Sequence, residues 1–254
     1  MLPTVLFLTD SLAFPRAEYG LSPSGLYTNL FPDEATIVSV NDSMDRLGVR
    51  SFSMELRTPR HRIFQVSNAH WDTTDMLSYV TGGPPIVRRP DLAVVHVGIV
   101  DCSPRVFRKR TQRWLMRRGV LGPVARITAR RLRPQLLTLR ERALGGRTVY
   151  TEPGRFRANL IAIADGLGAG ALALLSIVRA SGSPLYRSPG WNEQIDAYNA
   201  IVAEVAAVRE GVDYLDVNPL LDPPADVARD GFHLTAHGHG VVRGALREWV
   251  QRER

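Results

Sequence analysis

Cysteine is all but missing from this 254-residue chain: Cys102 is the only one. No internal disulfide can form, which fits a reducing compartment. Lysine is almost absent too, so nearly all of the 32 basic residues are arginine. Long apolar runs are also lacking. The longest stretch, around Leu167 to Val178, is broken at its start by Gly166, Gly168 and Gly170 and is too short to cross a bilayer. At the N-terminus no basic stretch precedes an apolar segment and no small-residue cleavage site follows, so no signal peptide is expected. Together these absences predict a cytoplasmic protein.

What remains is the composition of a soluble globular chain, with 44% hydrophobic and 22% charged residues. A chain of this length can bury a full core, and one α/β domain spanning residues 1–254 is expected. The net charge of +7 is unevenly placed. Between Ser103 and Arg147 there are thirteen Arg and one Lys against a single acid, Glu141, so that stretch carries +13 and the remainder −6. A solvated helical face would account for it. So would attraction of an anionic substrate, because Arg pairs bidentately with carboxylate and phosphate, or contact with an acidic membrane surface. A pI near 10.1 permits nucleic acid, but no nucleic-acid module is recognisable and none is expected as a partner.

Strand-like runs alternate with helical stretches. The first strand is Val5–Thr9, and the second is either Thr36–Val40 or Ile63–Val66, with a short hairpin or insertion possible in between. Leu92–Val97, Ala171–Ile177 and Val212–Val217 follow. Helices are predicted at Met76–Val80, Phe156–Leu167, Trp191–Arg209 and Gly240–Gln251. This alternation implies a three-layer α/β/α domain around a parallel sheet, since parallel crossovers need helices. With about five strands, the flavodoxin-like order 2-1-3-4-5 leads, and its ligands bind at the switch point between the first and third strands. The basic stretch at about 103–147 interrupts the pattern beside that edge and is predicted to form a lid-like helical insertion.

The loops at that switch point carry the residues of chemical interest. Thr9-Asp10-Ser11-Leu12 presents a hydroxyl where the first strand stops, and Asp230-Gly231-Phe232-His233 precedes the closing helix. Serine needs a base to accept its proton, and histidine serves when a carboxylate fixes its tautomer. Asp230 and His233, three residues apart, can share one turn. Ser11, His233 and Asp230 are therefore candidates for nucleophile, base and orienting acid. Cys102 at a strand end is expected to be a packed small hydrophobe, and His96 a buried satisfied histidine. His237 and His239 lie near His233 without the cysteine or carboxylate spacing of a zinc site; neither a metal nor another cofactor is expected.

These blocks resemble the SGNH (GDSL-type) hydrolases. Their first motif, Gly-Asp-Ser after strand one, is here Thr9-Asp10-Ser11-Leu12, and their last, Asp-x-x-His, is Asp230 to His233. The third, Gly-x-Asn-Asp, is similar to Gly98-Ile99-Val100-Asp101. The second is faint, in Val66 to Leu77 with Thr73-Thr74. A subgroup with Asp-Ser-Leu-Ala-x-Pro-Arg and Gly-Ile-Val-Asp-Cys-x-Pro-Arg is nearest, here Asp10–Arg16 and Gly98–Arg105. The resemblance implies the SGNH fold, Ser11 as nucleophile, His233 as base and Asp230 as its partner, with Asp10, Gly98 and Asp101 in the oxyanion and substrate-binding set. Val100 stands where the family's asparagine would donate to the oxyanion, and loss of one such donor typically costs about 10²–10³ in rate. Backbone amides of Ser11 and of the His70-Trp71 loop, or the side chains of Asn68, Arg16 or Arg105, are candidate replacements.

The implied function is a serine esterase working through an acyl-enzyme on a small-molecule or glycan-linked ester, or an acyltransferase using the same machinery. The alternative is a weakly or non-catalytic binding protein of the same fold, holding an anionic partner through its arginine-rich segment.

Overall fold

In a computed structural model of the protein, the described residues are 2–45, 49–83, 87–105, 135–137, 139, 149–182, 185, 188 and 190–253. The arginine-rich segment predicted as a lid lies almost wholly outside them.

Seven strands form one mixed sheet. They are β1 (Thr4–Thr9), β2 (Thr36–Met44), β3 (Arg50–Arg57), β4 (Arg62–Asn68), β5 (Leu92–His96), β6 (Ala171–Leu175) and β7 (Val212–Leu215), in the order β2-β3-β4-β1-β5-β6-β7. The strands from β4 to β7 in that order are all parallel, while β2 and β3 add antiparallel pairs at one edge. Counted within the parallel part, β4-β1-β5-β6-β7 keeps the expected order 2-1-3-4-5. The expected total of about five strands falls short by the antiparallel pair. Both candidates for the second strand are real, with β4 taking its place beside β1.

The parallel strands were legible because they are apolar on both faces, as a sheet covered on both sides demands. Val5, Phe7, Val94, Ala173 and Leu175 face one layer, and Leu6, Leu8, Ala93, Val95, Leu172 and Leu174 the other. The second layer is built by α1 (Thr73–Gly82), α3 (Pro153–Leu167) and α4 (Trp191–Ala207), which supply Met76, Phe156, Ile163, Ile195, Tyr198 and Val202. A four-residue turn, α2 (Ile99–Cys102), follows β5. On the first face α6 (Ala236–Arg252) packs Val242, Leu246 and Trp249 beside Leu26 and Tyr27, and the short α5 (Pro223–Asp226) leads into it. The Trp249 indole donates to Asp213 at 2.7 Å, which fixes the closing helix to β7. Thr235 caps α6 by accepting from the Gly238 amide. The residues just before α6 are thereby held against the C-terminal ends of β1 and β5.

No helix among the described residues is long and apolar enough to cross a membrane.

Candidate active site

β1 delivers its chain end to the switch point, and Ser11 opens a 3₁₀ turn there, Ser11–Ala13. Asp10 makes that turn possible by accepting from the Leu12 amide at 3.0 Å. From the far end of the chain, the loop before α6 turns at Gly231, whose φ of 85° lies in the left-handed region that glycine adopts without penalty. This turn lets Asp230 Oδ1 accept from the Phe232 amide at 3.3 Å and the His233 amide at 3.1 Å.

The two loops meet. Ser11 Oγ lies 3.0 Å from His233 Nε2, and His233 Nδ1 lies 2.5 Å from Asp230 Oδ2. With Nδ1 protonated and donating to the carboxylate, Nε2 is left bare to accept. Burial pulls the Asp230 carboxyl upward, but hydrogen bonds from the His233 ring and the two amides outweigh it and hold the group well below the usual carboxylate range. His233 is lowered from 6.5, first by burial; its bond to Asp230 pushes it back up and the charge of Arg16 pulls it down again. A hydroxyl beside a neutral, oriented imidazole can lose its proton as it attacks a carbonyl carbon.

Two further side chains enter this cluster. Arg16 Nη2 lies 2.7 Å from His233 Nε2, so it joins the site on the base. Tyr19 donates its hydroxyl to Asp230 Oδ2 at 3.1 Å. Tyr19 was not legible in the sequence: it is an ordinary loop residue there, and only the fold sets it against a carboxylate 211 positions away.

Other residues in the expected substrate-binding set are placed differently. Asp10 is fully buried, its carboxyl pushed up to about 7 by burial and by the neighbouring Asp101. It braces the nucleophile turn from below. Asp101 is equally buried; it accepts from the Thr73 amide and hydroxyl, and burial pushes it up to about 7. Its role is to tie α2 to the start of α1, which joins the third sequence block to Thr73 of the second. Gly98, at φ 132°, turns the chain out of β5 under Ile177 and leaves no room for a side chain.

The backbone amides of the His70-Trp71 loop are engaged within the turn after β4. The His70 amide donates to Asn68 Oδ1 at 3.0 Å and the Trp71 amide to the Asn68 carbonyl at 3.3 Å, while Asn68 Nδ2 donates to Ser51. Trp71 packs against Tyr79. Arg105 places its guanidinium over the Tyr150 ring, 4.4 Å from the centroid. Val100 is buried in the apolar cluster with Ile99 and Cys102 and brings no donor.

The other candidates are structural. Cys102 is fully buried and its thiol is pushed far up, chiefly by burial, which leaves no thiolate for chemistry. His96 and His239 are buried and held neutral, at about 4 and about 3, and both contact Tyr27. His237 pairs with Asp226 at 2.5 Å. Among the described residues no group of three or more His, Cys, Asp or Glu could hold a metal ion.

With the geometry in place, the chain can be set beside known proteins. A family model described as the GDSL-like Lipase/Acylhydrolase family matches residues 35–241, a span that contains Asp230 and His233 and begins after Ser11. The fold is similar to that of a lipase/acylhydrolase from Enterococcus faecalis, at a TM-score of 0.61 and 11% identity, over 99% of this chain and 96% of that one. It is similar also to a family 3 carbohydrate esterase of Clostridium thermocellum, at a TM-score of 0.52 and 12% identity over 100% and 98% of the two chains. A carbohydrate acetylesterase from Sinorhizobium meliloti aligns at a TM-score of 0.51 and 14% identity over 98% and 99%. At such identities the likeness is one of fold. No curated protein matches the sequence.

Proposed function

The chain belongs to the GDSL-like lipase/acylhydrolase family, and from that premise we propose that it is a serine esterase cleaving an O-acyl ester through an acyl-enzyme. The observation that carries this reading is Ser11 Oγ at 3.0 Å from a His233 ring whose other nitrogen is 2.5 Å from Asp230. In the first half-reaction Ser11 Oγ bonds to the carbonyl carbon while its proton passes to His233 Nε2. The tetrahedral intermediate then collapses as His233 returns that proton to the alcohol oxygen, breaking the ester bond and leaving the acyl group on Ser11. In the second half His233 takes a proton from water as that water's oxygen attacks the acyl carbon; the bond from that carbon to Ser11 Oγ then breaks, His233 Nε2 returns the proton to Oγ, and the acid leaves with both residues restored. An alcohol in place of that water would make the same enzyme an acyltransferase.

The backbone amide of Ser11 is the oxyanion donor that the nucleophile turn itself supplies, and the buried Val100 adds none. Two similar structures are described as carbohydrate esterases, which supports a sugar- or polysaccharide-linked ester as the substrate. The inert, buried Cys102 supports a reducing compartment such as the cytoplasm.

The test is covalent labelling. A fluorophosphonate is expected to modify Ser11 in the native protein and not after Ser11→Ala. Ester turnover should fall by about 10⁴-fold or more in that variant. Unlabelled, well-folded protein, or a Ser11→Ala variant with undiminished turnover, would remove the esterase reading.

A further inference from the structure

Arg16 occupies the acceptor that general-base catalysis requires. Its Nη2 is 2.7 Å from His233 Nε2, closer than Ser11 Oγ at 3.0 Å. With Nδ1 donating to Asp230, Nε2 has a single in-plane lone pair, and two donors compete for it. The charged guanidinium makes the stronger bond. Its charge also opposes the imidazolium that must form when Ser11 gives up its proton. In this arrangement the base is held away from its task.

The guanidinium is weakly held by anything else. Glu18 lies 3.5 Å from Nη1 and is itself 59% exposed, a rim contact worth little. Arg16 Nε is buried with no hydrogen-bond partner among the described residues. The Nε and Nη2 hydrogens point along one edge of the guanidinium, the edge that a carboxylate or phosphate takes with two parallel bonds. On that edge Nε has no partner among the described residues and Nη2 rests on a neutral ring nitrogen. An anion arriving there exchanges one bond to a neutral acceptor for two charge-assisted ones.

Which half of the substrate would carry the anion follows from the proton path. His233 Nε2 must return its proton to the leaving alcohol, so the alcohol portion lies over Nε2, and the oxyanion points to the opposite side. A donor seated on Nε2 faces the alcohol portion. The expected part for Arg16 as a replacement oxyanion donor does not agree with that placement.

We propose that Arg16 is a specificity-determining residue that selects esters whose alcohol portion bears a carboxylate or phosphate, and that binding of this anion draws the guanidinium off His233 and frees the base for Ser11. The inference rests on the esterase reading above and deepens it. A neutral ester leaves Arg16 on His233 and is turned over slowly. An anionic one supplies both affinity and the release.

The test compares 3-acetoxybenzoate, 3-acetoxyphenyl phosphate and the neutral 3-acetoxybenzamide as substrates of the full chain. The unaltered protein is expected to favour at least one anionic ester over the amide by about tenfold or more in kcat/KM, the worth of a charge-assisted bond. The preferred arm tells carboxylate from phosphate. Arg16→Ala should bring the esters to within about threefold of one another, the neutral one gaining and the anionic one losing. Arg16→Gln, which keeps the side-chain length without the charge, serves as a second variant should the loop need that bulk. Labelling of Ser11 by a neutral fluorophosphonate gives a readout that mere loop damage would not produce: its acid limb should move to higher pH when the charge is removed. Equal kcat/KM across the esters in the unaltered protein, or an equal fall on all of them in both variants, with Ser11 still labelled, would overturn the role of Arg16 alone. Absence of labelling in every protein would sink the esterase reading and this inference with it.

Discussion

Tyr19 donates its hydroxyl to Asp230 Oδ2, the same oxygen that receives His233 Nδ1. The Asp230 carboxylate is thus fixed from its own turn and from the loop that carries Ser11. The second tether keeps the two ends of the chain in register. Tyr19→Phe removes one hydrogen bond and little else, because the ring stays. The expected result is a fall in kcat/KM of about three- to tenfold, matching ~0.5–1.5 kcal/mol for one such bond, with an unfolding midpoint close to that of the unaltered protein. Steady-state kinetics on an aryl acetate beside a thermal melt would check it; unchanged kinetics would show that Tyr19 is a bystander.

Ser11 and the Asp230–His233 pair were easier to pick out of the sequence than their neighbours, and the reason is local. Ser11 ends an apolar run and His233 follows Asp230 within one turn, so both signals fit inside a few residues. Tyr19 sits in no such motif and meets Asp230 across 211 positions, a distance at which no spacing rule operates; Arg16 stood out as a charge beside the first motif, but its contact with His233 did not. The fold divides the same way. The parallel strands β1, β4, β5 and β6 are buried and read as apolar runs, whereas β2 is exposed along its whole length and showed only through the β-branched run at Thr36–Val40. β3 does alternate, with Phe52, Met54 and Leu56 inward, a period that the sequence reading passed over. Burial, which sequence does not print, sets Asp10 and Asp101 to hold the Leu12 amide and Thr73 in place.

The pH profile of turnover follows from His233. The base works only when neutral, and its ordinary value of 6.5 is lowered, first by burial and further by the charge of Arg16, with Asp230 opposing both. Depression of a base's pKa widens the range in which it is unprotonated. The acid limb of kcat/KM is therefore expected to have its inflection below 6.5. An inflection at or above that value in a pH–rate series would mean that Asp230 dominates over burial.

Stability should respond to pH through the two buried carboxyls. Asp10 and Asp101 are both raised from 3.8 to about 7, so the native state holds protons that the unfolded chain has released. A raised group of this kind contributes stability that is complete below its unfolded value and is lost as pH climbs through its folded one. The pair therefore lowers stability as pH rises from about 4 to about 7. Asp10→Asn keeps an oxygen for the Leu12 amide and abolishes one of the two titrations. Going from about pH 5 to about pH 8, the variant should gain more than about 1.4 kcal/mol relative to the unaltered protein, one pK unit's worth. Urea midpoints at the two values decide it, and parallel curves would mean that Asp10 ionises at an ordinary pH.

Gly98 controls how the third strand hands its loop to the site. Its φ of 132° is one that side-chain-bearing residues rarely adopt, and a Cβ built there would lie 2.5 Å from Ile177 Cδ1 and 2.8 Å from Ile177 Cγ1. Gly98→Ala thus meets two separate penalties, backbone strain of about 1–2 kcal/mol and overpacking of about 1–3 kcal/mol. The loop must shift to relieve them, and Asp10 lies against its start, its amide donating to the His96 carbonyl at 3.0 Å. Both stability and ester turnover are expected to fall. The two penalties can be told apart with Ile177→Ala, which removes both colliding atoms but cannot alter φ. Measured in the Ile177→Ala background, Gly98→Ala should cost less than in the unaltered protein, by the packing part, while the backbone part persists. An equal cost in both backgrounds would assign the whole of it to the backbone, and no cost in the Ile177→Ala background would assign it to the contact with Ile177.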